Sequence, residues 1–390
     1  MIDMRPPKLI KTGVIVCHDF IYGPPHELRD YMISHGVSEL LFIGHVNRYV
    51  FQNKLTRSYC EYWKNGKLVK KYFASNPHLP EVCSYALDLF YSVYWSLKIT
   101  KKPIDVFIGA GNINAFAGLL LKLLHKTKKS VYYVIDYAQV RFSNKVLNYL
   151  YHSLDAICAK YSSSTWNYSG TMIQKRKAKW NYTFPHQIVV PNGIRMRKEI
   201  IVPFEKCNAH EILYMGTLSG FQGVDTTILA LPFVCSKYHD AVFTIIGDGR
   251  ERGDLEALAR KLKLEKKVFF KGFIDDPREM EKRIARASIG VACYDTNHPL
   301  VFTTEPGKVK RYLACGIPVI MTAVSPIASD LEKNACGMIV SNNSQQIAKA
   351  ILRYFDNSML MRQSRINAIK YVSHFEWKML FRKAFERMEK

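Results

Sequence analysis

Short apolar runs bounded by turn residues alternate along the chain with segments of helical spacing. Residues 9–17 (LIKTGVIVC) predict a first strand, residues 25–36 an amphipathic helix and residues 39–43 a second strand. The polar and aromatic stretch 49–74 predicts a hairpin, and residues 82–100 a helix. Residues 105–108, 131–135 and 156–160 are short and apolar and predict buried parallel strands, with helices at 114–125 and 144–152 between them. The pattern restarts after Pro191-Asn192-Gly193. Strands are expected at 211–215, 242–246, 268–270, 289–292, 318–321 and 338–340, and helices at 225–238, 254–262, 277–287, 308–314, 326–332 and 345–355. Strand–helix alternation in both halves predicts an α/β fold of two Rossmann-like, doubly wound parallel-sheet domains. The expected division is a first domain over 1–197, a second over 198–372, and a C-terminal helix within 373–390 that packs back toward the first. Ligands of such sheets bind beyond the carboxyl ends of the strands, so the loops there carry the chemistry.

Composition narrows the class. With 48% hydrophobic and 23% charged residues in 390, the chain has the make-up of a globular protein, not a disordered one. The formal charge is +23, and residues 1–200 carry most of it, with 28 Lys and Arg against 12 Asp and Glu, a net of +16. That excess points to an anionic partner. Residues 64–71, 119–129 and 172–180 are basic patches, the latter two mixed with Leu, Met or Trp as on a helix lying on anionic lipid; the bland alternative is solvated faces. No helix-turn-helix, RNP-like string or finger spacing accompanies the charge, so nucleic acid is not the expected partner. Nine scattered cysteines with no C-x-x-C pair argue against a disulfide framework and against zinc, and suit a reducing cytosol. The basic start MIDMRPPKLIK lacks the apolar run of a signal peptide, and no 18-residue apolar stretch predicts a membrane span.

Four segments of the second half carry candidate chemistry. ILYMGTLSGFQGVD (212–225) reads as a strand, a glycine turn and a helix start; Gly216 permits a tight turn and Gly223 a close approach. The N–H groups of such a helix start can hold a phosphate, or the segment is a plain βα turn. Gly247-Asp248-Gly249 ends the next strand, a weak signal because it is also an ordinary turn. VFFKGFIDDP (268–277) ends a strand in Lys271-Gly272-Phe273. In TTEPGKVKRYLACGIPVI (303–320), Pro306 suits a first helical turn, and Lys308 puts a charge beside unpaired N–H groups. The bland alternative is a surface lysine on a solvated helix start.

Taken together and in this order, the four segments resemble the donor-binding domain of family-4 (group 1) retaining glycosyltransferases, which have the GT-B fold. The resemblance runs from about residue 188 to 388. It includes VVPNGI (189–194), ACGIPVI (314–320) and HFEWKMLFRKAF (374–385), and it is looser in the first half. It implies metal-independent, retaining transfer of a sugar from a nucleoside-diphosphate sugar, with no obligate cofactor and a donor cleft between domains. Gly216 and Thr217 would lie near the diphosphate, with Gln222, Gly223, Gly247, Asp248 and Gly249 around it. Gly272, Phe273 and Ile274 would face the base, and Glu305, Pro306, Gly307, Lys308 and Arg311 the sugar and phosphates, with Gly23 approaching from the first domain.

The chain departs from the family pattern in four places. The family's Arg and Lys around the first glycine turn are Thr217 and Gln222 here, and its two glutamates eight positions apart are Thr303 and Arg311. Pro306, Lys308 and Tyr312 fit a P-x-K-x-x-E-Y variant in which Arg311 replaces the glutamate. Lys308 and Arg311, three apart on one helix face, are expected to replace the lost cations.

In the first half, strand-end residues His18 and Asp136 are the candidates to position the acceptor hydroxyl or the sugar, and Arg141 and Tyr137 to bind the acceptor. The alternatives are a hydrogen-bonded loop histidine and, for Asp136, a helix N-cap. In this reaction type the leaving phosphate can take the acceptor proton, so orientation and charge stabilisation dominate. The expected protein is a cytoplasmic hexosyltransferase, peripheral on the inner membrane face. It would act on a glycan or lipid-linked acceptor in cell-surface polysaccharide or glycolipid synthesis. The alternatives are a catalytically silent, glycosyltransferase-like docking scaffold and a GT-B nucleotide-sugar epimerase.

Overall fold

Two β-sheets, each with its own core, organise the chain in a computed structural model that describes residues 10–19, 23–46, 56–75, 77, 79–298 and 307–389. The chain divides into a first unit, Met1–Asn192 with Trp377–Lys390, and a second, Gly193–Glu376.

The first unit runs β1 (Thr12–Asp19), α1 (Pro24–Ser34), β2 (Glu39–Val46), β3 (Tyr59–Lys64), β4 (Lys67–Phe73), α2 (Glu81–Ile99), β5 (Ile104–Ala110), α3 (Asn112–Leu123), β6 (Thr127–Val134), α4 (Lys145–Tyr161), β7 (Ser164–Asn167), α5 (Gly170–Trp180) and β8 (Gln187–Val189). Its eight-stranded sheet has the order β4-β3-β2-β1-β5-β6-β7-β8. β2, β1, β5, β6, β7 and β8 are parallel, and β3 and β4 add an antiparallel hairpin at the β2 edge. The sheet is therefore mixed and not purely parallel. The hairpin turns at Asn65-Gly66, where both residues have positive φ (48° and 77°), as a two-residue hairpin loop requires.

Residues 156–160, expected as a strand, are instead the last turns of α4. Asn144 caps that helix by accepting from the N–H groups of Val146 and Leu147, and its apolar run keeps the 3.6-residue period, with Cys158 buried and Ile157 exposed. The strand that follows is β7, only four residues long. The last helix, α13 (Trp377–Glu389), belongs to the first unit. Its Phe381 and Phe385 rings lie 5.6 and 6.0 Å from Tyr31 of α1, and both pack on the buried Trp166 of β7.

The second unit runs β9 (Glu211–Met215), α6 (Val224–Cys235), β10 (Val242–Ile246), α7 (Arg252–Lys261), β11 (Val268–Phe270), α8 (Pro277–Arg286), β12 (Ile289–Ala292), α9 (Gly307–Ala314), β13 (Val319–Thr322), α10 (Pro326–Lys333), β14 (Gly337–Val340), α11 (Ser344–Phe355) and α12 (Ser358–Val372). Its sheet is parallel throughout, in the order β11-β10-β9-β12-β13-β14. That is the 3-2-1-4-5-6 order of a dinucleotide-binding fold, with its switch point between β9 and β12. Strands buried on both faces explain the continuous apolar runs: Ile212, Leu213, Phe243, Ile245, Ile289 and Val291 are all fully buried.

Candidate functional site

In the second unit the carboxyl ends of β9, β10 and β11 are closed by three interlocked glycine turns. Gly216, Gly247 and Gly272 have φ of 147°, 136° and 68°, values that L side chains rarely adopt. The N–H of Gly216 donates to the Ile246 carbonyl at 3.0 Å, and that of Gly247 to the Gly272 carbonyl at 2.8 Å. A Cβ on Gly247 would stand 2.0 Å from the Gly216 oxygen, and one on Gly249 2.1 Å from the Leu218 oxygen, so backbone packs directly on backbone. Asp248 Oδ1 accepts from the Gly249 N–H at 2.8 Å, and its other oxygen pairs with Arg252 at 3.0 Å. Asp248 is thus committed to holding its own turn.

Across the switch point, Gly223 at the start of α6 lies against the end of β12: a Cβ there would be 1.6 Å from the Cys293 carbonyl oxygen. Lys308, in the first turn of α9, sends its side chain back under the β9 turn. Its Nζ donates to Gln222 Oε1 at 2.6 Å and lies 3.0 Å from the Tyr214 hydroxyl, and a Cβ on Gly216 would come within 3.0 Å of it. The ammonium also sits 4.2 Å from the Tyr214 ring centroid and 5.0 Å from that of Tyr294, a favourable cation–π setting. Among the described residues no carboxylate pairs with it in the structure. Desolvation by burial pulls its pKa from 10.5 down to about 7. A lysine with no described carboxylate beside it, held beneath a glycine turn next to the start of α6, is an arrangement that an anion completes.

The other residues expected around the donor are placed less centrally. Thr217 is exposed, and its carbonyl accepts from the Tyr214 hydroxyl at 2.8 Å. Phe273 follows the Gly272 turn with its ring 69% exposed, while Ile274 packs on the core. Arg311 lies one turn beyond Lys308 on α9, partly exposed. Glu305, Pro306 and Thr303 lie outside the described residues.

In the first unit, β1, β5 and β6 end around a cavity of about 740 Å³, lined from the strand ends by His18, Gly111 and Asp136 and from the helices by residues of α2 and α4. It sits where β2 and β5 flank β1, the switch point of this sheet. His18 enters it held on two sides: Nε2 is 3.2 Å from Asp88 Oδ2, and Nδ1 is 3.3 Å from the Asn114 amide nitrogen. Behind Asp88 stands the buried His45, whose Nδ1 is 3.3 Å from Asp88 Oδ1 and whose Nε2 is 2.8 Å from Ser92 Oγ. Desolvation lowers the His45 pKa to about 4, so it stands neutral behind the His18–Asp88 pair.

Asp136 is exposed on the cavity rim and caps no helix; Asn144 does that for α4. Arg141 also lines the cavity, but its guanidinium is paired with Glu81 and hydrogen-bonded to Tyr85 at 2.7 Å. Tyr137 packs on His152 and beneath Arg176, and burial raises its hydroxyl to about 12. Gly23 (φ 133°) is the N-cap of α1, its carbonyl accepting from His26 and Glu27.

Sequence reasoning reached His18 but not Asp88, His45, Ser92 or Asn114. The available signals were an acid inside the apolar stretch 82–100 and a histidine inside the apolar strand β2. Within the basic patch 172–180, Arg176 is no surface cation. It is fully buried, with Nε and Nη2 on the Asp155 carboxylate at 2.8 and 3.0 Å and Nη1 on Asn167 at 3.0 Å. Among the described residues no group of three His, Cys, Asp or Glu side chains is placed to hold a metal, and no helix is long and apolar enough to cross a membrane.

Comparison with known proteins places this geometry. The family described as glycosyl transferases group 1 matches residues 209–357, the second unit's sheet and most of its helices. The chain is 23% identical over 205 residues to a component of the human phosphatidylinositol N-acetylglucosaminyltransferase. That match takes in 52% of this chain and 40% of the relative, so it spans less than half of the relative's length. A glycosyltransferase from Rickettsia africae superposes with a TM-score of 0.68 at 16% identity, over 97% of both chains. Anabaena HepE in complex with UDP superposes with a TM-score of 0.65 at 14% identity, over 97% of this chain and 99% of that one. The two units are the two Rossmann-like domains of a GT-B fold.

Proposed function

We propose that this protein is a retaining, metal-independent glycosyltransferase that moves a sugar from a nucleoside-diphosphate sugar to a glycan or lipid-linked acceptor. The observation that carries the reading is Lys308 Nζ, held under the Gly216 turn at the switch point with no described carboxylate paired to it. A diphosphate at the β9 turn would meet this ammonium and the N–H groups at the start of α6, two independent sources of positive potential. The match of residues 209–357 to group 1 glycosyl transferases supports the same assignment, and the UDP held by Anabaena HepE makes uracil the first base to try.

In the transfer, the bond from the anomeric carbon to the β-phosphate oxygen breaks, and a bond to the acceptor oxygen forms on the same face. The acceptor proton passes to the departing phosphate. Lys308 would stabilise the charge that grows on that phosphate, an electrostatic contribution available without reorganisation. His18, fixed by Asp88 and Asn114, and Asp136 on the rim would orient the acceptor hydroxyl or the sugar.

The net charge of the first half supports action at an anionic membrane surface, on the cytoplasmic face, in cell-surface polysaccharide or glycolipid synthesis. Thermal stabilisation by a panel of nucleoside diphosphates and their sugar conjugates tests the reading. A ligand at about 100 times its dissociation constant adds roughly 2.7 kcal/mol. A shift with one base supports the donor site. No shift with any would leave the silent scaffold as the better account, with Thr217, Gln222 and Arg311 marking a lost site.

A further inference from the structure

The cavity over β1, β5 and β6 is far more apolar than a sugar site needs to be. His18, Asn112 and Asp136 stand on its strand-end side, and His26, Tyr85, Arg141 and Tyr151 add further polar groups. Most of the remaining lining is hydrocarbon, from Ala86 and Leu89 of α2, Phe116 of α3, and Leu147, Leu150 and Leu154 of α4. Sugars are bound by dense hydrogen bonding, and an apolar chamber of about 740 Å³ offers them little of it. A flexible aliphatic chain fits such a chamber and presents its head group to the polar end.

The walls point the same way. Val82 and Leu150 line the cavity yet are 49% and 56% exposed, so they mark its mouth between α2 and α4. The same helices also carry Phe90 (57% exposed), Val146 (65%) and Tyr149 (61%), with Phe90 stacked on Tyr94 and Tyr149 beside Trp180. Val146, Leu150 and Ile157 fall at i, i+4 and i+11, which keeps them on one stripe of α4. An exposed apolar stripe leading into an apolar chamber, on the half of the chain that carries +16, matches a chain entering from an anionic bilayer.

We infer that this cavity binds the aliphatic chain of the acceptor, so that the acceptor is a membrane lipid or lipid-linked sugar and not a free glycan. The word acceptor rests on the transferase reading; the chain-binding cavity does not.

The test is isothermal titration of the full chain with n-alkyl β-D-glucosides of five to nine carbons, below their micellar concentrations. These probes carry no charge, so the basic surface of the first half does not mimic binding. One site per chain is expected, with affinity rising about fourfold per added methylene. Ala86→Trp, which puts a bulky ring into the chamber, and Leu150→Lys, at its exposed mouth, should each weaken nonyl glucoside at least tenfold. A cooperative thermal melt of each variant, matching that of the wild type, reports that it is folded. Affinity independent of chain length, or nonyl glucoside binding undiminished in both variants, overturns the inference. UDP binding without glucoside binding also overturns it and leaves the transferase reading standing. Glucoside binding without nucleotide binding supports the cavity and removes the transferase reading.

Discussion

Lys308 Nζ and Gln222 Oε1 meet at 2.6 Å across 86 residues of chain, joining the first turn of α9 to the loop that follows β9. This contact brings the two edges of the switch point together with a glycine turn above them. It also means that a neutral amide orients the ammonium, and a neutral partner leaves its charge to a ligand.

Holding a lysine this way costs stability. Its folded pKa of about 7 lies below the ordinary 10.5, so between those values the unfolded chain binds the additional proton and wild-type stability rises with pH. Below pH 7 the penalty is fully present; above pH 10.5 it is gone. Lys308→Met should therefore raise the melting temperature at pH 6.5, by about 1–3 kcal/mol of stability, with the difference vanishing above pH 10. Denaturant melts of both proteins across that range check it.

The same titration should govern donor affinity. Below pH 7 the ammonium is already present in the free protein. Above it, binding an anion must bring a proton with it, so affinity for a nucleotide sugar should fall by up to tenfold per pH unit from pH 7 upward. Titrations from pH 6 to 9 measure the slope. Lys308→Ala should bind weakly with no slope in this window.

Close backbone approach gives a sharper pair of variants. A Cβ at Gly223 would stand 1.6 Å from the Cys293 oxygen, at a φ of 69°, so Gly223→Ala should destabilise by about 3 kcal/mol or more. Gly253, inside α7 with nothing within 4 Å, should accept alanine with a gain of about 0.5–1 kcal/mol. Urea denaturation of the two single variants compares them directly.

The buried Arg176–Asp155 pair predicts a different outcome. Arg176→Met leaves the Asp155 carboxylate buried without its cation and should cost about 3–5 kcal/mol. Adding Asp155→Leu should recover most of that loss. A double variant no more stable than the single one would show that the pair does more than neutralise itself.

The His18–Asp88 contact addresses acceptor positioning. Asp88→Asn keeps the shape but removes the negative charge beside His18 Nε2. Under the transferase reading, turnover should fall at least tenfold with nucleotide affinity unchanged. Equal losses in both would make Asp88 a structural residue only.

How far the sequence exposes this architecture depends on range. The sheet of the second unit was legible because its strands are short apolar runs, and Gly216, Gly247 and Gly272 punctuate three of them, β9, β10 and β11, at positive φ. Lys308 was legible as a charge in a helix's first turn, but its partner Gln222 looked like a departure from pattern and not like a ligand for that charge. The first unit was harder. β7 and β8, of four and three residues, are too short for a period to show, and residues 156–160 carry an apolar run that fits either helix or strand until the Asn144 cap decides it. Asp88 and His45 join His18 through contacts 43 residues apart within that pair and 70 from His18 to Asp88, which no local pattern encodes. Arg176 shows the converse: a basic string reads as a surface patch, while one of its members is the buried partner of Asp155.

The measurement that bears most directly on the donor site is isothermal titration of UDP and UDP-sugars into wild type and Lys308→Ala at pH 6.5, where the ammonium is present. Wild type should show saturable one-to-one binding, and the variant a loss of at least tenfold, and up to a hundredfold, in keeping with removal of a charged hydrogen-bond donor. Equal affinity in the two proteins would contradict this, because the diphosphate would then lie somewhere other than beneath the Gly216 turn.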